Sequence, residues 1–333
     1  MPRIFQWLLI LGLGYVNNST VISLRNPLLI SVVIPMHNSE KWIRETLVSV
    51  CLQDYKNLEI VLIDDGSNDE SLEVVKKVLH EFPSTKIRLH SIKNSGVSYA
   101  RNLGIQMAEG DLIALLDSDD VWDKTKLSQQ YLYLDSHPDV IAVLCDFYIS
   151  QSDNNKHKMR NLRLISKKGV KNVGMSWLSL EGNGGLLSST ALIRKDSFKG
   201  KVLFDSELST TADLSFFLQL TKLGRVGHLT IPLVQYRQHE NQMHSDPNLL
   251  RSEIPLLLQK LKAHSFKFNE NKIIGNVLVM CGLLNFSRKV YREAFNDFLQ
   301  GFQLNPMSII RLPYAIVKKR ILSYLALILR KSR

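Results

Sequence analysis

Leu112-Ile113-Ala114-Leu115-Leu116-Asp117-Ser118-Asp119-Asp120 is the stretch on which the reading of this chain turns. An unbroken apolar run of this length that ends in carboxylates reads as a buried strand delivering acidic side chains to the carboxyl edge of a sheet. Ligands bind at that edge in open α/β folds. Three carboxylates within four residues repel one another unless a cation is present, and hard oxygen donors suit Mg²⁺ or Mn²⁺. Such an ion is seldom caged by protein alone and shares its shell with substrate phosphates. The stretch therefore points to a divalent-metal diphosphate site. Taken by itself it has a second meaning, an exposed acidic turn capping a helix that begins near Lys124.

Outward from this strand the pattern alternates strand and helix. Strand-like runs lie at 29–35, 58–64, 87–91, 112–116 and 140–145, most of them continuously apolar, as parallel strands covered on both faces must be. Between them fall helical spacings. Trp42, Ile43, Leu47, Val50 and Cys51 follow the cap candidates Asn38 and Ser39, and Leu72, Val75, Val78 and Leu79 follow Ser71. A helix over 97–108 is expected to end at Gly110 as its left-handed terminator. This is a Rossmann-like βαβ series, so the fold class is α/β.

The remainder is organised differently. Residues 151–171 turn polar and basic and read as a loop or excursion, after which strand-like pieces at 189–194 and 229–237 flank a helix over 211–223. Beyond Asp246 the pattern is helical at 249–262, 272–286 and 291–302. The last resembles the second helix of a tetratricopeptide repeat, and because one repeat cannot bury its own face it is expected as an appendage. The predicted organisation is an apolar N-terminal segment over 1–28, an α/β domain over 29–245 with halves at 29–150 and 151–245, and a helical, basic region over 246–333.

Composition narrows the classes. At 333 residues with 45% apolar and 22% charged residues, the chain has the make-up of an ordinary globular protein with a substantial core. Cys51, Cys145 and Cys281 are scattered and odd in number, which suggests neither a disulfide framework nor a zinc site and fits a reducing cytosol. The net charge of +11 is uneven: residues 298–333 hold no acidic residue, against Arg311, Lys318, Lys319, Arg320, Arg330, Lys331 and Arg333. Ile309, Ile316, Ile321, Leu325 and Leu329 are among the apolar residues interleaved with them. That pattern reads as an interfacial helix on an anionic membrane surface or as a tail helix packed on its own domain, and its apolar face argues against nucleic acid. Placement in the cytoplasm, peripheral at the inner face of the membrane, follows from the first of these. The apolar run at 4–16 is shorter than the roughly 20 residues a spanning helix needs. It reads as a packing or membrane-touching helix rather than a cleaved signal.

Three further segments end on the same sheet edge as the acidic burst. Val33-Ile34-Pro35-Met36-His37-Asn38 closes the first strand, where Pro35 as a terminator and Asn38 as a cap are an adequate structural account. Asp64-Asp65-Gly66-Ser67 closes the second, where a carboxylate accepts from a base N–H or a ribose hydroxyl, or else starts an Asx turn. Asn94-Ser95-Gly96-Val97-Ser98-Tyr99-Ala100-Arg101-Asn102 brings Arg101 on a helix toward the acidic strand, within reach of a carboxylate or a diphosphate. Each is weak singly, and four in order form a joint signal.

With these residues the chain resembles the family 2 glycosyltransferases, inverting enzymes of the GT-A fold, over about 29–239. The resemblance implies a GT-A domain, followed here by a helical C-terminal extension. It implies a nucleotide-diphosphate sugar donor and a glycan or lipid-linked acceptor in cell-surface glycan or polysaccharide synthesis. It places the donor nucleotide on Pro35, His37, Asn38, Asp65, Gly96, Arg101, Asp117 and Ser118. Asp117 and Asp119 correspond to the DxD element that holds Mn²⁺ or Mg²⁺, with His239 in Tyr236-Arg237-Gln238-His239 as a further metal or phosphate contact or else a satisfied structural histidine. Asp120 supports the site from behind or caps the next helix. His37 stands where the family commonly has tyrosine.

Ser188-Ser189-Thr190-Ala191-Leu192-Ile193-Arg194 and Phe204-Asp205-Ser206-Glu207-Leu208 resemble the family's acceptor-side segment. They lead to Thr211-Ala212-Asp213, where Asp213 matches the general base and Ala212 replaces the usual glutamate. Read without the family, Asp213 is a carboxylate favoured by a helix N-terminus. Inversion at an anomeric carbon needs one base and a means of neutralising the departing diphosphate, and these residue types supply both. Two other functions compete with sugar transfer. The replacement at Ala212 motivates a catalytically impaired relative that only binds nucleotide sugar or glycan. A nucleotidyltransferase would carry a Gly-rich loop after the first strand, which Pro35-Met36-His37-Asn38 lacks.

Overall fold

The computed structural model describes residues 27–151, 160–162, 187–197, 202–239 and 246–311. The apolar run at 4–16, most of the polar stretch at 151–171 and the basic tail beyond 311 lie outside them. Strands β1 (Ile30–Met36), β2 (Leu58–Asp64), β3 (Lys86–Ser91) and β4 (Leu112–Leu115) are parallel, in the order β3-β2-β1-β4. Chain direction across the sheet therefore switches beside β1, which has β2 on one side and β4 on the other. That is the crevice where an open α/β sheet takes its ligand.

The second half of the sheet was only partly foreseen. Beyond β4 come β8 (Leu192–Arg194), antiparallel to both neighbours, then β6 (Val140–Gln151), β9 (Arg225–Gln238) and the two-residue β5 (Val121–Trp122), while β7 (Arg160–Leu162) pairs with β6. Of the strand expected at 189–194, only the last three residues pair as a strand; Ser188–Thr190 forms a 3₁₀ turn that carries two serines into the site. Strands β6 and β9 run longer than their apolar runs because each pairs with the other along nearly its whole length.

Helices α1 (Ile43–Cys51), α2 (Ser71–Glu81), α3 (Val97–Met107) and α4 (Lys126–Ser136) occupy the predicted connections. Two local expectations are corrected. Asn38 does not cap α1: it has φ +47°, its N–H donates to Ser67 Oγ and its Oδ1 accepts from Asn68 N, so its side chain is spent on the neighbouring loop. Gly110 does not terminate α3, which ends at Met107. A Cβ on Gly110 would lie 2.6 Å from Leu29 O and 2.7 Å from Ser31 N, so glycine is needed there for close approach to β1.

Alternate residues of the parallel strands enter opposite core layers, as the period of two demands. Val33, Val61, Ile63, Ile113 and Leu115 face one way, and Val32, Ile34, Ile60, Leu62 and Ala114 the other. The first layer runs on through Phe216 and Leu220 of α5 (Ala212–Leu223) into Leu250, Ile254, Leu257 and Leu261 of α6 (Pro247–Ala263) and Ile273 and Val277 of α7 (Glu270–Ser287). Helices α6 and α7 thus share the core of the sheet, while α8 (Tyr291–Leu304), the helix expected as an appendage, packs on α7 through Phe298 in a small cluster of its own. Asp246 and Asn269 cap α6 and α7 by accepting from Asn248 N and Lys272 N. Among the described residues no helix is long and apolar enough to cross a membrane.

Candidate active site

The acidic burst is not an exposed turn. Asp120 is fully buried and accepts from Ser189 Oγ at 2.6 Å and from Arg237 N at 3.2 Å. The same Ser189 hydroxyl accepts from Asp117 N at 3.0 Å, so one serine of the 3₁₀ turn holds both ends of the burst. Burial, with Asp119 and Asp117 nearby, pushes the Asp120 carboxyl well above the usual range. Helix α4 begins later, and its entry is stabilised by Asp123, whose Oδ1 accepts from Thr125 N. Asp120 is a brace behind the site.

Two other carboxylates converge on one guanidinium. Arg101, on α3 and 5% exposed, donates to Asp117 Oδ1 at 2.5 Å and to Asp213 Oδ1 at 2.8 Å. Its planar head lies over Phe204, 5.0 Å from the ring centre. Burial opposes the Arg101 charge, yet Asp117 and Asp213 together hold it more firmly protonated than usual. Burial raises the Asp117 carboxyl, Arg101 pulls it back, and Asp213 and Asp119 raise it again, with a net shift upward. Asp213 lies in the first turn of α5, where the helix dipole favours an anion. Its Oδ2 accepts from Ser188 N at 3.1 Å and Ser188 Oγ at 2.8 Å.

Asp119 faces a more open part of the edge. Its Oδ2 lies 3.0 Å from His239 Nε2, and both side chains keep partial exposure, 21% and 16%. The His239 ring stacks on Trp42 at 5.3 Å, and Arg237, paired with Glu45, sits over the same indole at 5.1 Å. Among the described residues no three His, Cys, Asp or Glu side chains form a group able to hold a metal by themselves. The donors at this edge are carboxylate oxygens and one imidazole, a set that fits Mn²⁺ or Mg²⁺ only when a ligand's oxygens complete the shell.

The loops after β1 and β2 meet at the far end of the crevice. His37 Nδ1 donates to Asp65 O at 2.8 Å, leaving Nε2 to accept from Asn38 Nδ2 at 3.1 Å and Asn94 Nδ2 at 3.4 Å. Asp65 accepts from Ser95 N at 2.6 Å and Gly96 N at 2.8 Å, so it draws the start of α3 onto the end of β2. Gly66 has φ +71°, and a Cβ there would lie 2.8 Å from Asn94 N. Ser118 reaches the same loop: its hydroxyl is 2.7 Å from Ser39 Oγ, and its carbonyl accepts from Thr46 Oγ1. His37, Asn38, Asp65, Gly96 and Ser118 are brought together at this edge. Pro35 is not: it is buried inside β1, opposite Ile63, and the strand runs one residue past it.

The family assignment rests on the first half of this architecture, since the glycosyl transferase family 2 profile matches residues 31–199, half of the chain. The chain belongs to glycosyl transferase family 2. It is 32% identical over 219 residues to the minor teichoic acid biosynthesis protein GgaA of Bacillus subtilis, covering 64% of this chain and 48% of GgaA, so it spans about half the length of that relative. Its fold matches Staphylococcus aureus TarS 1-349 in complex with UDP-GlcNAc, with a TM-score of 0.58 at 21% identity over 86% of this chain and 82% of TarS. It also matches the mannosyltransferase PcManGT of Pyrobaculum calidifontis in complex with GDP-Man and Mn²⁺, with a TM-score of 0.53 at 18% identity over 88% and 80% of the two chains. The sheet and its flanking helices are those of a GT-A fold.

For this family 2 chain, sequence reading missed Ser188 and Ser189 as individual site groups, and Trp42. The serines lay in a segment already assigned to the acceptor side, but a hydroxyl next to an apolar run carries no sign of its direction. Trp42 was counted as one apolar position of a helix, though it lies before the first turn of α1. Arg101 was expected on a carboxylate or a diphosphate; it lies on two carboxylates.

Proposed function

We propose that this chain is a metal-dependent, inverting sugar transferase that moves a sugar from a nucleotide-diphosphate donor to a hydroxyl acceptor during cell-surface glycan synthesis. The observation that carries this reading is the Arg101 bridge, which ties a carboxylate of the donor-side burst, Asp117, to a carboxylate across the crevice, Asp213.

Asp213 takes the acceptor hydroxyl proton as that oxygen attacks the anomeric carbon from the face opposite the diphosphate. The new C–O bond forms, the bond from the anomeric carbon to the diphosphate oxygen breaks, and its electron pair leaves with the nucleoside diphosphate. Arg101 and Ser188 orient Asp213 by donating to its two carboxylate oxygens. A divalent cation, held by Asp119 and His239 with Asp117 beside them, would neutralise charge on the departing diphosphate. His37, Asn38, Asp65, Gly96 and Ser118 shape the pocket for the base and ribose. GgaA supports a cell-wall polymer as the product class, and the ligands of TarS and PcManGT support a nucleotide-sugar donor and a metal.

The acceptor is read as a glycan or lipid-linked alcohol met at the inner face of the membrane, through the basic residues beyond 311. Co-sedimentation with anionic vesicles, with and without those residues, tests that placement; equal pelleting removes it. The transferase reading is tested by Mn²⁺-dependent release of nucleoside diphosphate from UDP-GlcNAc and GDP-mannose. Asp213→Asn is expected to slow release by about 10²–10⁴-fold while nucleotide affinity holds. Full activity in that variant would remove Asp213 as the base. Donor binding without turnover by the unmodified chain would favour an impaired, binding-only relative.

A further inference from the structure

Helix α5 carries Asp213 in its first turn, yet Thr211 at its N-cap position makes no side-chain cap. A carboxylate from another helix instead holds the three residues that lead into α5. Glu253 of α6 is 6% exposed. Its Oε1 accepts from Ser209 N at 2.9 Å, Thr210 N at 3.1 Å and the Ser209 hydroxyl. Its Oε2 accepts from Thr211 N at 3.0 Å, Thr211 Oγ1 at 2.9 Å and Thr210 Oγ1 at 2.8 Å. A carboxylate offers about four lone-pair sites, so these donors saturate it. Burial opposes its charge and the hydrogen bonds outweigh burial, holding the carboxyl below its usual range.

The grip extends along the run that leads to Asp213. Two turns farther along α6, Lys260 pairs with Asp205 at 2.8 Å and with Glu207. From the other side α3 holds the same run: Asn102 exchanges hydrogen bonds with Phe204 N and O, and Ser98 Oγ donates to Leu208 O. Covering the core would need only Leu250, Ile254, Leu257 and Leu261. A buried carboxylate is costly unless its partners converge on it. Here every partner lies in the three residues before Ala212, whose methyl group cannot brace anything.

We propose that Glu253 is a positioning residue for sugar transfer: from α6 it fixes the first turn of α5 and so the direction in which Asp213 presents its carboxylate. This rests on the reading of Asp213 as the base, and it makes α6 part of the working site.

The test uses the full chain with Glu253→Ala, Glu253→Gln and Glu253→Asp. Turnover of UDP-GlcNAc and GDP-mannose is measured with Mn²⁺, alongside hydrogen exchange over residues 209–214. Glu253→Ala and Glu253→Gln are expected to lower kcat about 10–100-fold, the scale of a misplaced reacting group, while donor KM stays within about twofold. Glu253→Asp recovers part of the rate. Exchange over 209–214 rises in the Ala and Gln variants and stays unchanged in β1 and β4. If Glu253→Ala melts below the assay temperature, Glu253→Gln, which keeps the volume, is read in its place.

Adding Glu253→Ala to Asp213→Asn should cost almost nothing further, since both act through one group. Wild-type kcat or unchanged exchange in Glu253→Gln, beside an inactive Asp213→Asn, overturns the role of Glu253 alone. Wild-type turnover in Asp213→Asn overturns the base assignment itself.

Discussion

Arg101 and Asp213 meet at 2.8 Å with both side chains almost wholly buried, 5% and 7% exposed. Neither belongs to the acidic burst, yet through Arg101 the contact ties Asp213 to Asp117 of that burst. An arginine at this depth is stable only because two carboxylates share it, and those carboxylates are tolerated because the arginine is there.

Arg101→Met should therefore destabilise the fold by about 3–5 kcal/mol, the usual cost of leaving a buried charge without its partner. Urea unfolding at neutral pH measures this. Arg101→Lys keeps the charge but not the fork, and a single ammonium cannot reproduce two terminal nitrogens aimed at two carboxylates. It should retain most of the stability and lose most of the turnover. Equal stability of Arg101→Met and the wild type would contradict the bridge.

Asp119 and His239 are predicted to govern the response to metal. With UDP present, Mn²⁺ should raise the melting temperature of the wild type, because a ligand that binds only the native state stabilises it. Asp119→Asn and His239→Ala should each weaken the Mn²⁺ dependence by at least about tenfold. Removing metal with a chelator should return all three proteins to similar melting temperatures. A His239→Ala response identical to the wild type would limit that ring to stacking on Trp42.

Lys126 gives a pH signature unrelated to the site. It is fully buried, donates to Gln130 Oε1 at 2.7 Å and lies 3.9 Å from the Trp122 ring centre; burial lowers its pKa from 10.5 to about 8. Between those values the unfolded chain binds the proton and the folded chain does not, so stability rises with pH across this window and is flat below it. The whole shift is worth on the order of 3 kcal/mol. Lys126→Met should flatten the rise, measured as the difference in unfolding free energy between pH 7.5 and 10. A slope equal in both proteins would contradict it.

Gly66→Ala should cost about 1–2 kcal/mol from its left-handed backbone alone, plus the encounter of the new methyl with Asn94 N at 2.8 Å. Because that loop holds Asp65 and His37 in place, nucleotide affinity should fall along with the melting temperature. Calorimetric titration with UDP and GDP checks the first and a thermal scan the second.

The parallel half of the fold was legible because β1, β2 and β4 are covered on both faces and are apolar but for Ser31, Glu59 and Asp64; their bounds fall within a residue of expectation. Legibility failed where hydrogen bonding rather than burial sets the structure. Strand β5 has two residues and exists only because β9 pairs with it. Asn38 looked like a cap because its side chain can serve as one, and its actual partner lies in a loop 30 residues away. Asp117, Asp119 and Asp213 could be named from motifs, since each stands just past a strand end or at a helix start. Glu253 could not: on paper it is an acid on an amphipathic helix, indistinguishable from a solvated one.

The contact between Asp120 and Arg237 N joins residues 117 positions apart. A ribosome releases the acidic burst long before it releases the backbone that covers it. Through that interval Asp120 lacks the Arg237 N–H, and the crevice lacks the wall that β9 supplies. Closure of the site thus waits for β9, and a nascent chain halted before that strand carries every residue of the burst, and Ser189 as well, but not the Arg237 N–H that covers Asp120.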